Sequence, residues 1–413
     1  NTLAEVKRAG SGHLGSSFSA MDIVTWLYHE EMNILKVGFD SPDRDIYFSS
    51  KGHDVPGLYA TMYSLGALAE DKILRLRRLG GLDGHPDLNI PGIEANSGSL
   101  GMGISKGRGM AWAKKHFGNG GRVYVLTGDG EWQEGQNYEA LQAAVQQKID
   151  NLTVIVDDNK VQSDKLVDEI MSLGDIEGKL RAFGWHVQRI DGHDYCQIEK
   201  AIAEVKQVTG KPQIIIADTI KGRGVSFMEH PVALEFGRGL YPWHSGAPDD
   251  ESFEKGYKEL VERINASLSD LGLTPLNLKD VAPEERRPPA AMLAGEPLSQ
   301  AAQEKLSSKV TDEFVAKAYG QALVEIAKRR QDIVVLDADL SSDCKVRDFE
   351  NTFPDRFIEN GIAEQDMVSM AGGLAGKGLL PVVNSFASFL ASRANEQIYN
   401  NASEKTKIIY ALH

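Results

Sequence analysis

Short apolar runs that each stop on glycine, aspartate or asparagine constrain this chain most. Residues 122–127 read Arg-Val-Tyr-Val-Leu-Thr and end at Gly128-Asp129-Gly130. Residues 152–156 read Leu-Thr-Val-Ile-Val and end at Asp157-Asp158-Asn159, and residues 214–217 end at Asp218. Runs this short, with little polar alternation, are strands buried on both faces. Residues 137–145, between the first two, carry helical spacing. Strand, helix and strand in succession predict an α/β fold with a parallel sheet and right-handed crossovers. Ligands of such sheets lie beyond the carboxyl ends of the strands, where these acids and the amide fall.

Composition removes several classes. Lys and Arg number 45 against 59 Asp and Glu, a net charge of −14. That balance speaks against a general nucleic-acid binder, which needs a basic face, though it leaves room for a local anion site. No apolar run approaches the ~18 residues of a membrane helix. Two cysteines, Cys196 and Cys344, are too few and too far apart for a disulfide framework or a metal motif, and two reduced thiols suit the cytoplasm. The sequence opens on Asn1-Thr2-Leu3 in helix-like residues and ends at Ala411-Leu412-His413 after a strand-like run, so it reads as part of a longer chain.

The character of the chain changes near residue 271. Residues 275–297 hold Pro275, Pro283, Pro288, Pro289 and Pro297 around Glu284-Glu285-Arg286-Arg287, a linker composition. A helix over 313–328 then leads to a strand at 333–336, with further strands at 380–383 and 408–411. The division expected is 1–268, a linker at 269–310, and a second α/β domain at 311–413 that stops mid-sheet.

Three groups of residues carry chemistry. Gly128-Asp129-Gly130 and Asp158-Asn159 place a carboxylate and an amide oxygen at neighbouring strand ends. Both are hard ligands suited to Mg²⁺ or Ca²⁺, and the glycines let a diphosphate approach the backbone. Four histidines, His13, His53, His85 and His244, sit in Gly-rich loops ahead of the linker, which predicts a convergent polar pocket. His29, His116, His186, His193 and His230 lack that setting and read as structural. Glu364 lies at a strand-to-helix junction in Gly361-Ile362-Ala363-Glu364-Gln365, followed by the aromatic pair Phe386 and Phe389, either core residues or a wall for a flat ring.

Together these stretches resemble the transketolase family over the whole length of the chain. The resemblance rests on Ala9-Gly10-Ser11-Gly12-His13, Ser50-Lys51-Gly52-His53, Gly84-His85-Pro86 and Gly98-Ser99-Leu100-Gly101-Met102-Gly103. It also rests on Gly128-Asp129-Gly130 with Glu134-Gly135, Lys221-Gly222-Arg223-Gly224, Trp243-His244, and Asp355-Arg356-Phe357-Ile358 with the Glu364 motif. The resemblance implies two tandem thiamine-diphosphate-binding α/β domains, a diphosphate-binding one and an incomplete pyrimidine-binding one. It implies a cytoplasmic homodimer with active sites at its interface, with a further chain completing the second domain as one option. The activity implied is transfer of a two-carbon ketol unit from a ketose to an aldehyde through an enamine on thiamine diphosphate. Asp129, Asn159 and the Val161 carbonyl would bind Mg²⁺ (or Ca²⁺). Gly98, Leu100, Gly128, Gly130 and His244 would border the diphosphate and thiazolium. Glu134 would link the two sites of a dimer, Glu364 would bond the pyrimidine nitrogen, and Phe386 and Phe389 would pack on that ring. His13, His53 and His85 would bond the oxygens of the ketose.

The sequence departs from the family where a sugar phosphate is read. A family arginine before Lys317-Ala318-Tyr319 is Ala316 here, and a phosphate-contacting serine aligns with Asp343, with Ser342, Lys345 and Arg347 nearby. His413 matches a family histidine near the phosphate. The substrate expected is therefore a non-standard donor or acceptor, either unphosphorylated or bearing another anion. The alternatives are a transketolase-like enzyme of specialised metabolism, a 1-deoxyxylulose-5-phosphate synthase-like enzyme, and a non-catalytic paralogue or scaffold subunit.

Overall fold

A computed structural model of the chain describes residues 1–278, 315–375 and 378–413. They form two compact units. One is Asn1–Leu276 with Gly361–Ala363, and the other holds the remaining described residues.

The first unit is built on five parallel strands: β1 (Ile46–Ser49), β2 (Val123–Gly128), β3 (Leu152–Asp158), β4 (His186–Asp191) and β5 (Gln213–Asp218). Their order is β1-β2-β3-β5-β4. The pleat sends alternate side chains to opposite faces. Tyr124, Leu126, Ile155 and Ile215 pack with the helices Leu14–Trp26 and Tyr195–Val205. Val123, Val125, Val154, Ile214 and Ile216 pack with Gly103–Phe117 and Gly135–Gln146. Both faces are covered over β2, β3 and β5, which is why those three strands read as near-continuous apolar runs. Register pairs Gly128 with Asp157 and Asp158 with Asp218, so the three expected strand ends line one edge of the sheet.

The second unit repeats the plan with β6 (Ile333–Asp337), β7 (Phe357–Glu359), β8 (Leu380–Ser385) and β9 (Ile409–Leu412), parallel in the order β7-β6-β8-β9. Val335 and Val382 face the helix Val315–Ala327, while Val334, Leu336 and Val383 face Glu364–Ala375.

Differences from the sequence reading are local. β3 runs two residues further, through Asp157 and Asp158. β1 and β4 are short, and β4 alternates polar with apolar residues as befits an edge strand, so neither stands out as an apolar run. Residues 269 and 270 close the helix Asp250–Asp270, and the expected linker from 279 to 310 lies outside the described residues, as do 313 and 314 of the expected helix. Among the described residues, no helix is long and apolar enough to cross a membrane.

Candidate active site

The edge of the first sheet collects the predicted oxygen donors. Asp129 follows β2, is buried, and accepts from the Gly130 amide at 2.7 Å and the Lys160 amide at 2.5 Å. Burial, then the charges of Asp158 and Asp157, push its carboxyl up to about 7. Asn159 is also buried, and its Oδ1 accepts from the Val161 amide at 3.1 Å. Its Nδ2 donates to Asp157 at 3.1 Å, which fixes which end of the amide faces which way. Asp157 in turn pairs with the buried Lys51 and accepts from Ser19 and Thr219. Desolvation alone would raise the Asp157 carboxyl, but Lys51 and the hydroxyls hold it below the usual range.

The four loop histidines meet. The His13 ring lies 5.2 Å from those of His53 and His244 and 5.9 Å from that of His85, and His53 lies 5.3 Å from His244. Backbone bonds explain the meeting. The Gly15 amide donates to the Trp243 carbonyl at 3.1 Å, and the Gly222 amide donates to the Gly15 carbonyl at 3.0 Å. Only glycine fits at 15, because a Cβ would lie 2.7 Å from the Tyr241 ring. That junction draws the loops of His13, His244 and Lys221 together. Desolvation first, then neighbouring imidazoles and cations, lowers all four histidines, His13 to about 3. They are neutral near pH 7. The buried His13 Nδ1 has no hydrogen-bond partner. Lys221 donates to His244 Nδ1 at 3.1 Å and to the Val161 carbonyl at 2.9 Å. A neutral ring accepting at Nδ1 carries its proton on Nε2.

The loop of Gly98, Leu100 and Gly101 packs beside this cluster. A Cβ on Gly98, whose φ is 122°, would lie 2.4 Å from His85, and one on Gly101 would lie 2.6 Å from Glu134. The buried Glu131 anchors the loop by accepting from the Gly101 and Gly128 amides at 2.8 and 3.2 Å. Of the other histidines, His193 bonds Asp22 at 2.8 Å and accepts from the Ile220 amide at 2.9 Å, a bracing role, and His230 accepts from the Lys221 amide at 3.1 Å.

In the second unit Glu364 opens its helix and is buried. Arg393 donates to its Oε2 at 2.9 Å, and the Ser385 hydroxyl lies 3.4 Å from Oε1. The Phe386 and Phe389 rings are 5.6 Å apart, with Arg393 4.7 Å over Phe389, so the aromatic pair and the acid share one place. His413 stacks edge-on to Tyr319 at 5.2 Å, and Tyr319 donates to Asn384 at 2.7 Å. Asp343 is exposed, while Ser342 accepts from Arg347 at 3.0 Å.

Residues 2–233 match the family model described as transketolase, thiamine diphosphate binding domain, and residues 314–413 match transketolase, pyrimidine binding domain. This chain belongs to the transketolase family. It is 38% identical over 263 residues to one of the subunits of the apulose-4-phosphate transketolase of Phocaeicola vulgatus, a match that covers 63% of this chain and 89% of that protein. It is 34% identical over 405 residues to the transketolase of Homo sapiens, and 33% over 401 to transketolase-like protein 2 of Mus musculus. Those matches cover 97% and 96% of this chain, but it spans only 61% and 60% of those two relatives. Among solved structures, transketolase from Leishmania mexicana superposes with a TM-score of 0.53 at 23% identity, over all of this chain and 66% of that one, a likeness of fold.

The donor set suits a divalent cation. Asp129, Asn159 and a carbonyl are oxygen ligands of the hard kind that divalent cations prefer. The Val161 carbonyl has two lone pairs, of which Lys221 uses one. A Cβ on Gly130 would lie 2.7 Å from Gln162, so this turn has no room for a side chain. The orphaned His13 nitrogen is a donor or acceptor awaiting a ligand. Sequence reasoning quoted Lys51 and Lys221 within motifs but gave them no task, and it missed Arg393. A buried lysine is the signal that burial reveals and sequence conceals.

Proposed function

We propose that this chain transfers a two-carbon ketol unit from a ketose to an aldehyde, using thiamine diphosphate and Mg²⁺, as a cytoplasmic homodimer. The single observation that supports this best is the gathering of three neutral imidazoles within 6 Å of the neutral His13 ring, in the same unit as the Asp129, Asn159 and Val161 donors. The division proposed is 1–268 for the diphosphate side, 269–310 for the linker and 311–413 for the pyrimidine side.

Asp129, Asn159 and the Val161 carbonyl would hold the cation. Gly128, Gly130, Gly98, Leu100 and His244 would border the diphosphate and thiazolium, and Glu134 would lie beneath that loop. When bound, thiamine diphosphate supplies a carbon nucleophile and an electron sink. The chain's residues then bind, orient and move protons. His244, with its proton on Nε2, donates from that atom to a reacting oxygen. His13 and His53 are neutral and can exchange a proton with substrate hydroxyls at pH 7, and His85 completes the ring around them. Glu364 keeps Oε1 nearly unpaired and offers it to a pyrimidine nitrogen, while Arg393 holds the other oxygen. Phe386 and Phe389 give that ring an apolar wall. Asp343 and His413 are proposed at the substrate end of the second unit.

A second reading concerns the substrate. Ala316 and Asp343 stand where phosphate contacts were expected, and the relative with 38% identity is named for apulose 4-phosphate. Those two positions make a non-standard ketose the favoured donor. The test is a donor screen on cofactor-loaded protein, with products read by mass. A two-carbon gain on the acceptor supports ketol transfer. Cofactor binding with no cleavage of any ketose rejects it, and ordinary turnover of xylulose 5-phosphate with ribose 5-phosphate rejects the non-standard substrate.

A further inference from the structure

Three segments of the candidate site converge on one buried acid that has no task in ketol transfer. Glu131 lies in the short turn Gly130–Gln133 and is 2% exposed. Its Oε1 accepts from the Ser50 hydroxyl and, at 2.8 Å, from the Gly101 amide. Its Oε2 accepts from the Gly128 amide at 3.2 Å. Its own carbonyl accepts from the Asn137 side chain at 2.7 Å, so the backbone that carries the carboxyl is held as well. A carboxylate out of water needs donors to match it, and each of these three comes from a different segment. Ser50 opens the loop at 50–53, Gly101 lies in the loop at 98–103, and Gly128 ends β2 just before Asp129.

Ser50 widens the junction. Its buried hydroxyl donates to Glu131 and accepts from the Gly103 amide at 3.0 Å. Gly103 is the first residue of the helix Gly103–Phe117. A Cβ on Gly103 would lie 2.2 Å from the Ser50 hydroxyl oxygen, and one on Gly52 would lie 2.6 Å from the Gly98 nitrogen. Glycine at both places lets the two loops close on each other. The next residues of the 50–53 loop are tied elsewhere, Lys51 to Asp157 and His53 to the histidine cluster. One carboxylate therefore sets the spacing of the Leu100 loop, the strand end before Asp129, and the loop of Lys51 and His53.

Binding sites work only when their side chains and loops are held within about 0.5 Å of the productive geometry. We infer that Glu131 is a positioning residue for thiamine diphosphate, acting through the two loops and Gly128. This rests on the reading that those loops border the cofactor, and on the geometry alone for the junction.

The test is titration calorimetry of thiamine diphosphate with excess Mg²⁺ on wild type, Glu131→Gln, Ser50→Ala and the double variant. Glycine amide signals are followed by NMR on the same proteins before cofactor is added. Glu131→Gln keeps the shape but turns one acceptor into a donor that faces another donor. It is expected to weaken the cofactor ~10-fold or more, the lower end of what outer-shell partners cost. Ser50→Ala keeps the carboxylate and both amides and should weaken binding by a smaller factor. The double variant should lose less than the product of the two, because both act through one junction. The Gly101 and Gly128 signals should move together in Glu131→Gln. A residue serving stability alone would lower the unfolding midpoint and leave cofactor affinity unchanged, and that result overturns the inference. So does a fully multiplicative double variant, or weaker binding with both glycine signals unmoved. If Glu131→Gln does not fold, unchanged affinity in Ser50→Ala overturns it and weakened affinity supports it. A wild type that binds no thiamine diphosphate rejects the cofactor reading and the inference with it, whereas wild-type binding that neither variant weakens overturns the inference alone.

Discussion

Lys51→Met tests the frame beneath the proposed cation site. Lys51 and Asp157 form an ion pair in which both side chains are almost wholly out of water, at 2% and 0% exposure. Removing one partner of such a pair costs about 3–5 kcal/mol, because the other charge stays buried. Asp157 keeps the hydroxyls of Ser19 and Thr219 and the Asn159 amide, so the lower end, about 3 kcal/mol, is expected. For a unit of this size each kcal/mol lowers the midpoint by roughly 2 °C, giving a fall of about 6 °C. Lys51→Met with Asp157→Asn removes this pair, leaves Asp54, which lies 3.6 Å from the Lys51 ammonium, without its cation, and should recover part of the loss, a non-additive cycle. The pH dependence follows from the two shifts. Desolvation pulls Lys51 down, but Asp157 and Asp54 outweigh it, and its pKa stands above the ordinary 10.5. Its contribution is whole below that value and is lost as pH rises through the raised one. The Asp157 pKa is depressed below 3.8, so its contribution holds above that value and is lost as pH falls through the depressed one. The gap between wild type and Lys51→Met should thus be flat from about pH 5 to about pH 9. The assay is thermal unfolding of the chain across that range. A loss under about 1 kcal/mol, or a double variant equal to the sum of the singles, refutes the reasoning.

Asn159→Ala should weaken Mg²⁺-dependent thiamine diphosphate binding at least ~10-fold without moving the unfolding midpoint as Lys51→Met does; tryptophan quenching titrations read this, and unchanged metal dependence counts against the ligand assignment. Gly98→Ala forces a Cβ to within 2.4 Å of His85 at φ 122°, so about 1–3 kcal/mol of stability should go, with the His85 ring resonances displaced in NMR spectra. His13 titrates near 3 when folded against an ordinary 6.5, so the unfolded chain takes up its proton first and stability should fall as pH drops from about 6.5 toward 3; His13→Asn should flatten that slope in unfolding experiments. Glu364→Gln should keep the fold of the second unit yet abolish exchange of the C2 proton of bound thiamine diphosphate, followed by NMR in deuterated buffer.

Much of the fold was legible because the central strands are buried on both faces. Val123 to Leu126, Leu152 to Val156 and Ile214 to Ala217 had to be apolar throughout, and a run of that kind announces itself. β1 did not, since it has only four residues, and β4 did not, since at the sheet edge it alternates polar with apolar residues. The four histidines were legible through glycine. Gly12, Gly52 and Gly84, just before His13, His53 and His85, stand where a Cβ would meet a neighbour at under 3 Å, and Gly246 after His244 takes a φ of 95°, so their presence marked tightly folded loops in which a polar ring has a purpose. What sequence could not show was the charge arrangement. Lys51 and Lys221 are two of 45 basic residues, and nothing in their local sequence says that they are buried.

That arrangement also explains how so acidic a chain can hold anions. A net charge of −14 repels a phosphate at long range, but beyond a Debye length of ~8 Å surface charges are screened. Close to the first unit's site the balance reverses. Lys51 neutralises Asp157, while Arg189 and Lys160 pair with Asp158 and Asp218. The acids at the strand ends are thereby matched one by one, except Asp129, which forms no ion pair among the described residues and whose carboxyl is pushed up by burial and then by the charges of Asp158 and Asp157. A divalent cation at Asp129 would complete the set. Removing the Arg189 side chain should therefore leave Asp158 under-compensated beside Asp129. An Arg189→Met variant should bind Mg²⁺ more tightly and thiamine diphosphate no better in the metal's absence, as read by titrations with and without metal. Weaker Mg²⁺ binding in that variant would show that Arg189 positions the loop through geometry and not through charge.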